Sequence, residues 1–190
     1  MQSDSIALRA NQDATASQPV IPTDRLVLRP LRASDKGLLE HYAGDARVAS
    51  MTTSIPHPLP PGAAEAFIER SLSETRREDV WALDGTRSGL GELVGVMGLE
   101  RMEGTPEQSE IGYWIAPAFW NTGLASEALA ALLAANPHRS GTIFASVFQD
   151  NPISARVLTN AGFEYLGDAE AFSVARGANV PTWTYLRKQP

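Results

Sequence analysis

The sequence contains no cysteine and no long apolar segment. The absence of cysteine excludes a disulfide framework, a cysteine nucleophile and a thiolate metal site, and it favours a reducing compartment, the cytoplasm. No stretch approaches the roughly 18 to 20 consecutive apolar residues that cross a bilayer, so we expect no membrane partner. Residues 1–20 lack the apolar core of a secretory signal, and we expect a flexible tail there, followed by a single domain over residues 21–190.

Basic residues are fewer than acidic ones. The chain has 16 lysines and arginines against 22 aspartates and glutamates, which gives a formal net charge of -6. This excess of negative charge disfavours broad binding to a phosphate backbone, so nucleic acid is not an expected partner. The three histidines, His41, His57 and His138, do not have the spacing of metal ligands, and we expect solvated positions for them and no metal site.

Two common glycine motifs for nucleotides are missing as well. A dinucleotide-binding fold would show G-x-G-x-x-G near its first strand, and a Walker loop would end in Gly-Lys-Ser or Gly-Lys-Thr. The chain instead has Gly123 alone, placed centrally and followed by Leu-Ala-Ser. The sequence therefore argues against a dinucleotide-binding fold and against a P-loop.

Hydrophobic periodicity predicts a mixture of strands and helices. Residues 25–31 alternate apolar and polar side chains as a half-buried strand does, and residues 63–78 carry an apolar stripe at helical spacing. Further strands are predicted near residues 80–84, 93–99, 110–116, 142–148, 163–166 and 182–186, with helices after Gly123 and after Asn151. The strands at 80–84, 93–99 and 110–116 should form an antiparallel meander, and the helix after Gly123 should make a parallel crossover.

The segment from residue 110 to the helix after Gly123 is the most informative. A predicted strand leads into the turn residues Asn121, Thr122 and Gly123 and then into an alanine- and leucine-rich helix. A helix N-terminus offers unpaired backbone N–H groups and the positive end of the helix dipole, so a turn of small residues lets a pyrophosphate lie directly on it. Taken alone, such a pattern is more often an ordinary tight packing contact between a strand and a helix.

A second segment lies downstream, Asn151-Pro152-x-Ser154-Ala155-Arg156-Val157-Leu158, and ends at Ala161-Gly162-Phe163. Together with residues 110–127 it resembles the GNAT N-acetyltransferase superfamily, specifically the RimJ/RimL-like branch that modifies protein N-termini. The resemblance extends from Thr23 to the last predicted strand. It implies an α+β fold of the three-layer GNAT type: a mixed, mostly antiparallel sheet of six to seven strands, helices on both faces, and a central acetyl-CoA-binding turn between the fourth strand and the third helix.

The resemblance also implies which residues bind the coenzyme. It places the pantetheine arm beside the strand, with a backbone N–H of Ile115 or Ala116 polarising the thioester carbonyl, and the pyrophosphate on the turn. Coenzyme contacts are expected from Trp114, Ile115, Ala116, Asn121, Thr122, Gly123, Leu124, Ala125, Ser126, Asn151, Ser154 and Arg156. Asn121 occupies a glycine position, where asparagine tolerates a left-handed backbone, and Leu158 stands where many relatives have a tyrosine general acid.

The catalytic roles follow from family position. Glu110 would take the proton of the amine, directly or through water, and Ser154 would supply a hydroxyl to the departing thiolate. Only an unprotonated amine attacks a thioester, and an α-amine with a reference pKa of ~8 needs less help than a lysine at ~10.4. The implied activity is acetyl transfer from acetyl-CoA to a primary amine, foremost a protein or peptide N-terminus, by direct attack in a ternary complex. A solvated strand-end glutamate and a helix first-turn serine are the alternative roles of these residues.

Other functions stay open at this point. Relatives with a similar coenzyme turn acetylate small molecules such as antibiotics or polyamines, and a transfer of a larger acyl group such as succinyl is a further alternative. An acidic acceptor pocket would favour polyamines. A protein of another class, a non-catalytic sensor of acyl-CoA, would share the same motifs. The expected partners are acetyl-CoA and an amine acceptor, and the chain is expected to be a monomer or a homodimer.

Overall fold

The computed structural model describes residues 18–190, which form one eight-stranded sheet in the order β1-β2-β3-β4-β5-β6-β8-β7. The strands are β1 (Ile21–Pro22), β2 (Val27–Pro30), β3 (Glu78–Asp84), β4 (Gly95–Arg101), β5 (Gln108–Ile115), β6 (Thr142–Phe148), β7 (Glu164–Ser173) and β8 (Ala178–Lys188). The helices are α1 (Lys36–Ala43), α2 (Ala46–Ala49), α3 (Ala63–Leu72), α4 (Leu124–Ala135) and α5 (Pro152–Asn160).

The predicted fold class is confirmed, because the sheet is mixed, mostly antiparallel and covered by helices on both faces. The meander β3-β4-β5 and the parallel pairing of β5 with β6 are both present. The strand count is eight because β1 is only two residues long, too short to leave an alternating pattern in the sequence. The strand that precedes the predicted coenzyme-binding turn is therefore β5, and the helix after the turn is α4.

Three predicted boundaries are wrong. The helix predicted to reach residue 78 ends at Leu72, because Ser73 has an extended backbone (φ -63°, ψ 141°), and Glu78 is the first residue of β3. Strands β7 and β8 are 10 and 11 residues long, well beyond the predicted 163–166 and 182–186. Much of this hairpin is exposed on both faces, so no apolar alternation marks its length in the sequence.

The sheet opens in its middle, between β5 and β6. Strand β5 pairs with β4 from Ser109 to Ile115, but it pairs with β6 only over residues 108–110. Beyond Glu110 the two parallel strands separate, which leaves a gap between residues 111–115 of β5 and residues 145–148 of β6. We call this gap the split. One edge of β5 therefore presents free main-chain groups in the middle of the sheet.

Hydrophobic cores lie on both faces of the sheet. The larger core includes Trp81, Met97 and Leu129 and packs α4 and α5 against one face, the α4 face. The smaller core includes Leu39 and Ile68 and packs α1 and α3 against the other, the α1–α3 face. Since side chains alternate along a strand, odd-numbered residues of β5 point to the α4 face and even-numbered ones to the α1–α3 face. No helix within residues 18–190 combines the length and the apolarity that spanning a bilayer requires.

Contacts with the sheet begin before β1. Gln18 Nε2 donates a hydrogen bond to Val80 O (2.7 Å), and Trp81 Nε1 donates to Pro19 O (2.8 Å). The predicted tail over residues 1–20 lies mainly outside the described residues. Where the structure is described, the chain already contacts β3 at residue 18.

Candidate active site

The first component of the site is the free edge of β5 along the split. The Ala116 N–H donates to Val94 O (2.9 Å), so Ala116 faces β4, and main-chain groups in an antiparallel ladder alternate between the two sides of a strand. The main-chain groups of Tyr113 and Ile115 therefore face the split. Of the two predicted donors to the thioester carbonyl, Ala116 is excluded because its N–H is already bonded, and the Ile115 N–H remains.

The turn before α4 has the backbone of an anion site. Asn121 (φ 61°) and Gly123 (φ 80°) both adopt the left-handed conformation, so asparagine does replace the missing glycine. Gly123 is the N-cap and offers no side-chain hydrogen bond, which leaves the N–H groups of residues 124–126 without a capping partner. Thr122 and Ser126 are exposed together with Asn121 and Gly123. The turn therefore presents several backbone donors to an anion at its surface.

A partly exposed ion pair between Arg25 and Glu127 holds this turn in place. The carboxylate of Glu127, in the first turn of α4, accepts hydrogen bonds from Thr23 Oγ1 (2.6 Å), Arg25 N (2.7 Å) and Arg25 Nε (2.7 Å). Arg25 Nη1 also donates to Thr122 O (2.9 Å) within the turn. Burial opposes ionisation of Glu127, but these hydrogen bonds outweigh it and hold its pKa below the usual range. The sequence does not reveal this pair, because its members are 102 residues apart.

Trp120 connects the turn to the edge of the split. Its Nε1 donates to Ile115 O (2.7 Å), which is the carbonyl group that faces the split. The guanidinium carbon of Arg47 lies 5.7 Å from the centroid of the indole ring, within the range of a cation–π contact. The tryptophan therefore fixes the position of the turn relative to β5.

Replacing Trp120 by phenylalanine should weaken coenzyme A binding several-fold. The substitution keeps an aromatic ring but removes the N–H that donates to Ile115 O, and one hydrogen bond contributes about 0.5–1.5 kcal/mol. Calorimetric titration with coenzyme A would measure the affinity, and urea unfolding would verify that the variant is folded. An unchanged affinity in a folded variant would mean that this bond does not order the turn.

The N-terminus of α5 forms the far side of the split. Asn151 Oδ1 accepts from Ser154 N (3.2 Å), which confirms the predicted N-cap, and Pro152 is the first helical residue. Tyr113 Oη donates to Ser154 O (3.4 Å) and so connects β5 to α5 on the α4 face. Burial raises the pKa of Tyr113 to about 12, so the phenol stays protonated. The Ser154 hydroxyl makes no hydrogen bond to any residue between 18 and 190.

Three further residues of the motifs have different positions. Arg156 is exposed on α5. The Trp114 side chain packs against the smaller core and its main chain faces β4, so the structure does not bring Trp114 to the split. Leu158 is fully buried in the larger core, so its role is packing. It takes no part in acid catalysis.

Glu110 lies on the α1–α3 face, in a row of three glutamates. In the strand register Glu78 of β3 is opposite Glu100 of β4, and Glu100 is opposite Glu110 of β5. Burial, and then the negative charges of Glu100, Asp79 and Glu110, raise the pKa of Glu78 to about 7. Glu78 was not predicted as a site residue, because the helical pattern extends to this position in the sequence. The strand register places it in one row with Glu110, with Glu100 between them.

His138 was predicted to be solvated, and this prediction is wrong. His138 is buried, and its Nδ1 and Nε2 lie 3.1 Å from Ser109 Oγ and 3.1 Å from Asp79 Oδ2. His41 and His57 are exposed, as expected. The described part of the chain holds no group of three or more side chains arranged to bind a metal ion.

Comparison with known proteins identifies the same region. The family model described as an acetyltransferase (GNAT) domain matches residues 25–164. An uncharacterized N-acetyltransferase of Bacillus subtilis (strain 168), YoaA, is 27% identical over 183 residues, which cover 90% of this chain and 98% of that protein. The ribosomal-protein-serine acetyltransferase of Escherichia coli (strain K12) is 34% identical over 90 residues, which cover 41% of this chain and 50% of that protein.

Solved structures resemble the fold closely. RimL, a ribosomal L7/L12 alpha-N-protein acetyltransferase in complex with coenzyme A, superimposes with a TM-score of 0.74 at 19% identity, covering 90% of this chain and 98% of its own. A spermidine N-acetyltransferase from Vibrio cholerae, in complex with coenzyme A and spermine, gives a TM-score of 0.72 at 17% identity. The match covers 87% of this chain and 96% of that chain. At these identities the likeness concerns the fold.

Proposed function

The chain belongs to the GNAT acetyltransferase family, which uses acetyl-CoA as acyl donor, and we propose that it acetylates the α-amine at the N-terminus of a protein or peptide. The observation that carries this proposal is the split, where a free edge of β5 leads from the anion turn to the N-terminus of α5. The partial match to a ribosomal-protein-serine acetyltransferase and the fold likeness to RimL support the choice of acceptor.

Donor and acceptor would meet in the split from opposite faces of the sheet. The turn and α5 lie on the α4 face, where Asn121 to Ser126, Asn151 and Arg156 would bind the coenzyme. Glu110 lies on the α1–α3 face, where its carboxylate would attract an ammonium group and is a candidate to accept its proton. The acceptor therefore does not have to displace the coenzyme. Because the chain has no cysteine, transfer by a cysteine-linked acyl-enzyme is excluded. The amine would attack the thioester directly in a ternary complex.

The groups around the split fit this reaction. The Ile115 N–H would donate to the thioester oxygen as negative charge develops there during the attack. The Ser154 hydroxyl, unbonded among the described residues, would give a proton to the departing thiolate, whose thiol has a reference pKa of ~8.5. An α-amine is roughly 10% unprotonated at pH 7 against less than ~0.1% for a lysine, so an N-terminal acceptor demands less of the base.

A small cationic amine is the second candidate acceptor. The observation in its favour is the row formed by Glu78, Glu100 and Glu110, which gives the acceptor face a concentration of negative charge. A diamine or polyamine places two or more positive charges near such a row. The fold likeness to a spermidine N-acetyltransferase is in line with this alternative.

Peptides with a free N-terminal serine or alanine should be acetylated at least tenfold faster than the same peptides with a blocked N-terminus and an internal lysine. The expectation rests on the larger fraction of unprotonated α-amine at neutral pH. Release of coenzyme A thiol would be measured with acetyl-CoA as donor, with spermidine and simple amines as parallel acceptors and succinyl-CoA as parallel donor. Faster turnover of spermidine than of every peptide would reverse the order of the two candidates, and no turnover with any amine would reject both.

A further inference from the structure

The carboxylate of Glu78 does not stay above its own strand. A Cβ atom built at Gly98, on the neighbouring strand β4, would overlap Glu78 Oε1. The Glu78 side chain therefore lies across β4, over a position that carries no side chain. Only glycine at residue 98 leaves room for the carboxylate there.

The position beyond Gly98 is also a glycine, and the space above it is empty. Gly98 is directly opposite Gly112 of β5 in the strand register. A Cβ atom built at Gly112 would meet no atom within 4 Å. Gly112 belongs to the part of β5 that no longer pairs with β6. Two adjacent glycines thus form an open strip from the Glu78 carboxylate to the split, on the face where the acceptor would enter.

Glu78 has no counter-charge in this position. No hydrogen bond or ion pair joins its carboxylate to any other residue in the described range 18–190, and the charges that act on it are those of Glu100, Asp79 and Glu110. The helices over this face carry charged and titratable side chains that do not contribute to its raised pKa. These are Lys36, Glu40, His41 and Tyr42 on α1 and Glu65, Glu69 and Arg70 on α3.

We propose that Glu78 is the base of the reaction: it takes the proton of the acceptor's ammonium group above Gly112, while Glu110 attracts the ammonium to the site. This inference rests on the proposed acetyl transfer to an amine. A carboxyl group with a pKa near 7 is better matched to an ammonium of ~8 than a glutamate at the reference value of ~4.3, because efficient proton transfer requires similar pKa values.

The protons balance in this scheme. The bound ammonium gives one proton to the Glu78 carboxylate, and the freed nitrogen lone pair forms the bond to the thioester carbon. The carbon–sulfur bond then breaks, and its electron pair stays on sulfur. The nitrogen loses its second proton to the Ser154 hydroxyl, which passes its own proton to the thiolate. The products are the amide and the coenzyme A thiol, and Glu78 releases its proton to solvent, the one net proton of the reaction.

The test compares kcat as a function of pH for the unchanged enzyme and for Glu78→Gln, Glu110→Gln and Glu100→Gln, all with one saturating peptide acceptor. Glu78→Gln should lower kcat by ~10²–10⁴-fold and leave the coenzyme A affinity unchanged. It should fold well, because it removes an unpaired charge from a partly buried position. Glu100→Gln tests the charge effect from the adjacent strand: the acid limb should move to lower pH because a like charge has been removed.

Two further measurements separate the possible outcomes. Gly98→Ala should lower kcat without weakening coenzyme A binding, since its methyl group displaces the Glu78 carboxylate. Titration of the Glu78 carboxyl carbon by ¹³C NMR, assigned with Glu78→Gln, should show a midpoint near pH 7. A Glu78→Gln enzyme within threefold of the unchanged rate, or loss of the acid limb in Glu110→Gln alone, would overturn the inference. No turnover of any amine by the unchanged enzyme would overturn the proposed function itself.

Discussion

Replacing Arg29 by methionine should lower the free energy of unfolding by about 3–5 kcal/mol. Arg29 is 3% exposed and Asp35 is fully buried. Arg29 Nη1 and Nη2 donate to the two oxygens of Asp35 at 2.9 and 2.8 Å, and its Nε donates to Asp84 Oδ2 at 2.8 Å. The substitution would leave two carboxylates without their cation, one of them away from water, and an uncompensated buried charge is costly.

The loss should affect the entire α1–α3 face. Arg29 is on β2, Asp35 precedes α1, and Asp84 ends β3, while Arg29 Nη2 also donates to the carbonyl of Glu92 (3.0 Å) before β4. The hydrogen bond to Asp35 is the largest cause of a pKa for Arg29 that lies even further above neutrality than usual. The guanidinium is therefore charged throughout the working range, and the loss of stability should be similar from about pH 6 to about pH 9.

Arg47→Met is the matched control for this prediction. Arg47 also pairs with an aspartate, Asp45, at 2.7 Å, but 65% of its side chain is exposed. Exposed pairs contribute less than about 1 kcal/mol, so this variant should unfold at nearly the urea concentration of the unchanged protein. Urea unfolding of both variants measures the difference. Equal losses in the two variants would contradict the assignment of a structural role to the buried pair.

Replacing Gly123 by valine should weaken coenzyme A binding by at least ~100-fold. Gly123 has φ 80°, a conformation that costs a residue with a Cβ about 1–2 kcal/mol and a β-branched residue more. A Cβ there would also lie 3.5 Å from Arg25 Nη2, beside the ion pair that holds the turn. Strain in the turn would redirect the N–H groups at the start of α4, which are the proposed contacts of the pyrophosphate.

Gly89→Val provides a control with a similar backbone. Gly89 has φ 71°, and a Cβ there would meet no atom within 4 Å. It lies between β3 and β4, outside the turn and the split, so the variant should lose at least about 1–2 kcal/mol of stability and keep its affinity for coenzyme A. Calorimetric titration together with urea unfolding distinguishes the two effects. If both valine variants bind coenzyme A equally well, the turn at Gly123 is not where the coenzyme's phosphates bind.

Parts of the candidate site follow from short sequence segments, because their chemistry is local. Asn121 and Gly123 supply the left-handed backbone positions that the turn requires. Asn151 is the N-cap of α5 and Pro152 its first residue, which are residue types that favour the start of a helix. Each of these features depends on the residue type and on the backbone of its immediate neighbours. The sequence also placed Glu110 at the start of a predicted strand, and the family resemblance supplied its expected role as base.

The sequence by itself determined the family, the left-handed turn before α4, the cap of α5 and the class of the fold. Only the tertiary structure decided that Arg25 pairs with Glu127, that the Ala116 N–H is bonded to β4, and that Glu78 lies across Gly98 toward Gly112. These contacts depend on the register of strands far apart in the chain, and a shift of one residue would turn every side chain to the opposite face. That register is set by the packing of two cores on one sheet, which no single segment of the sequence specifies.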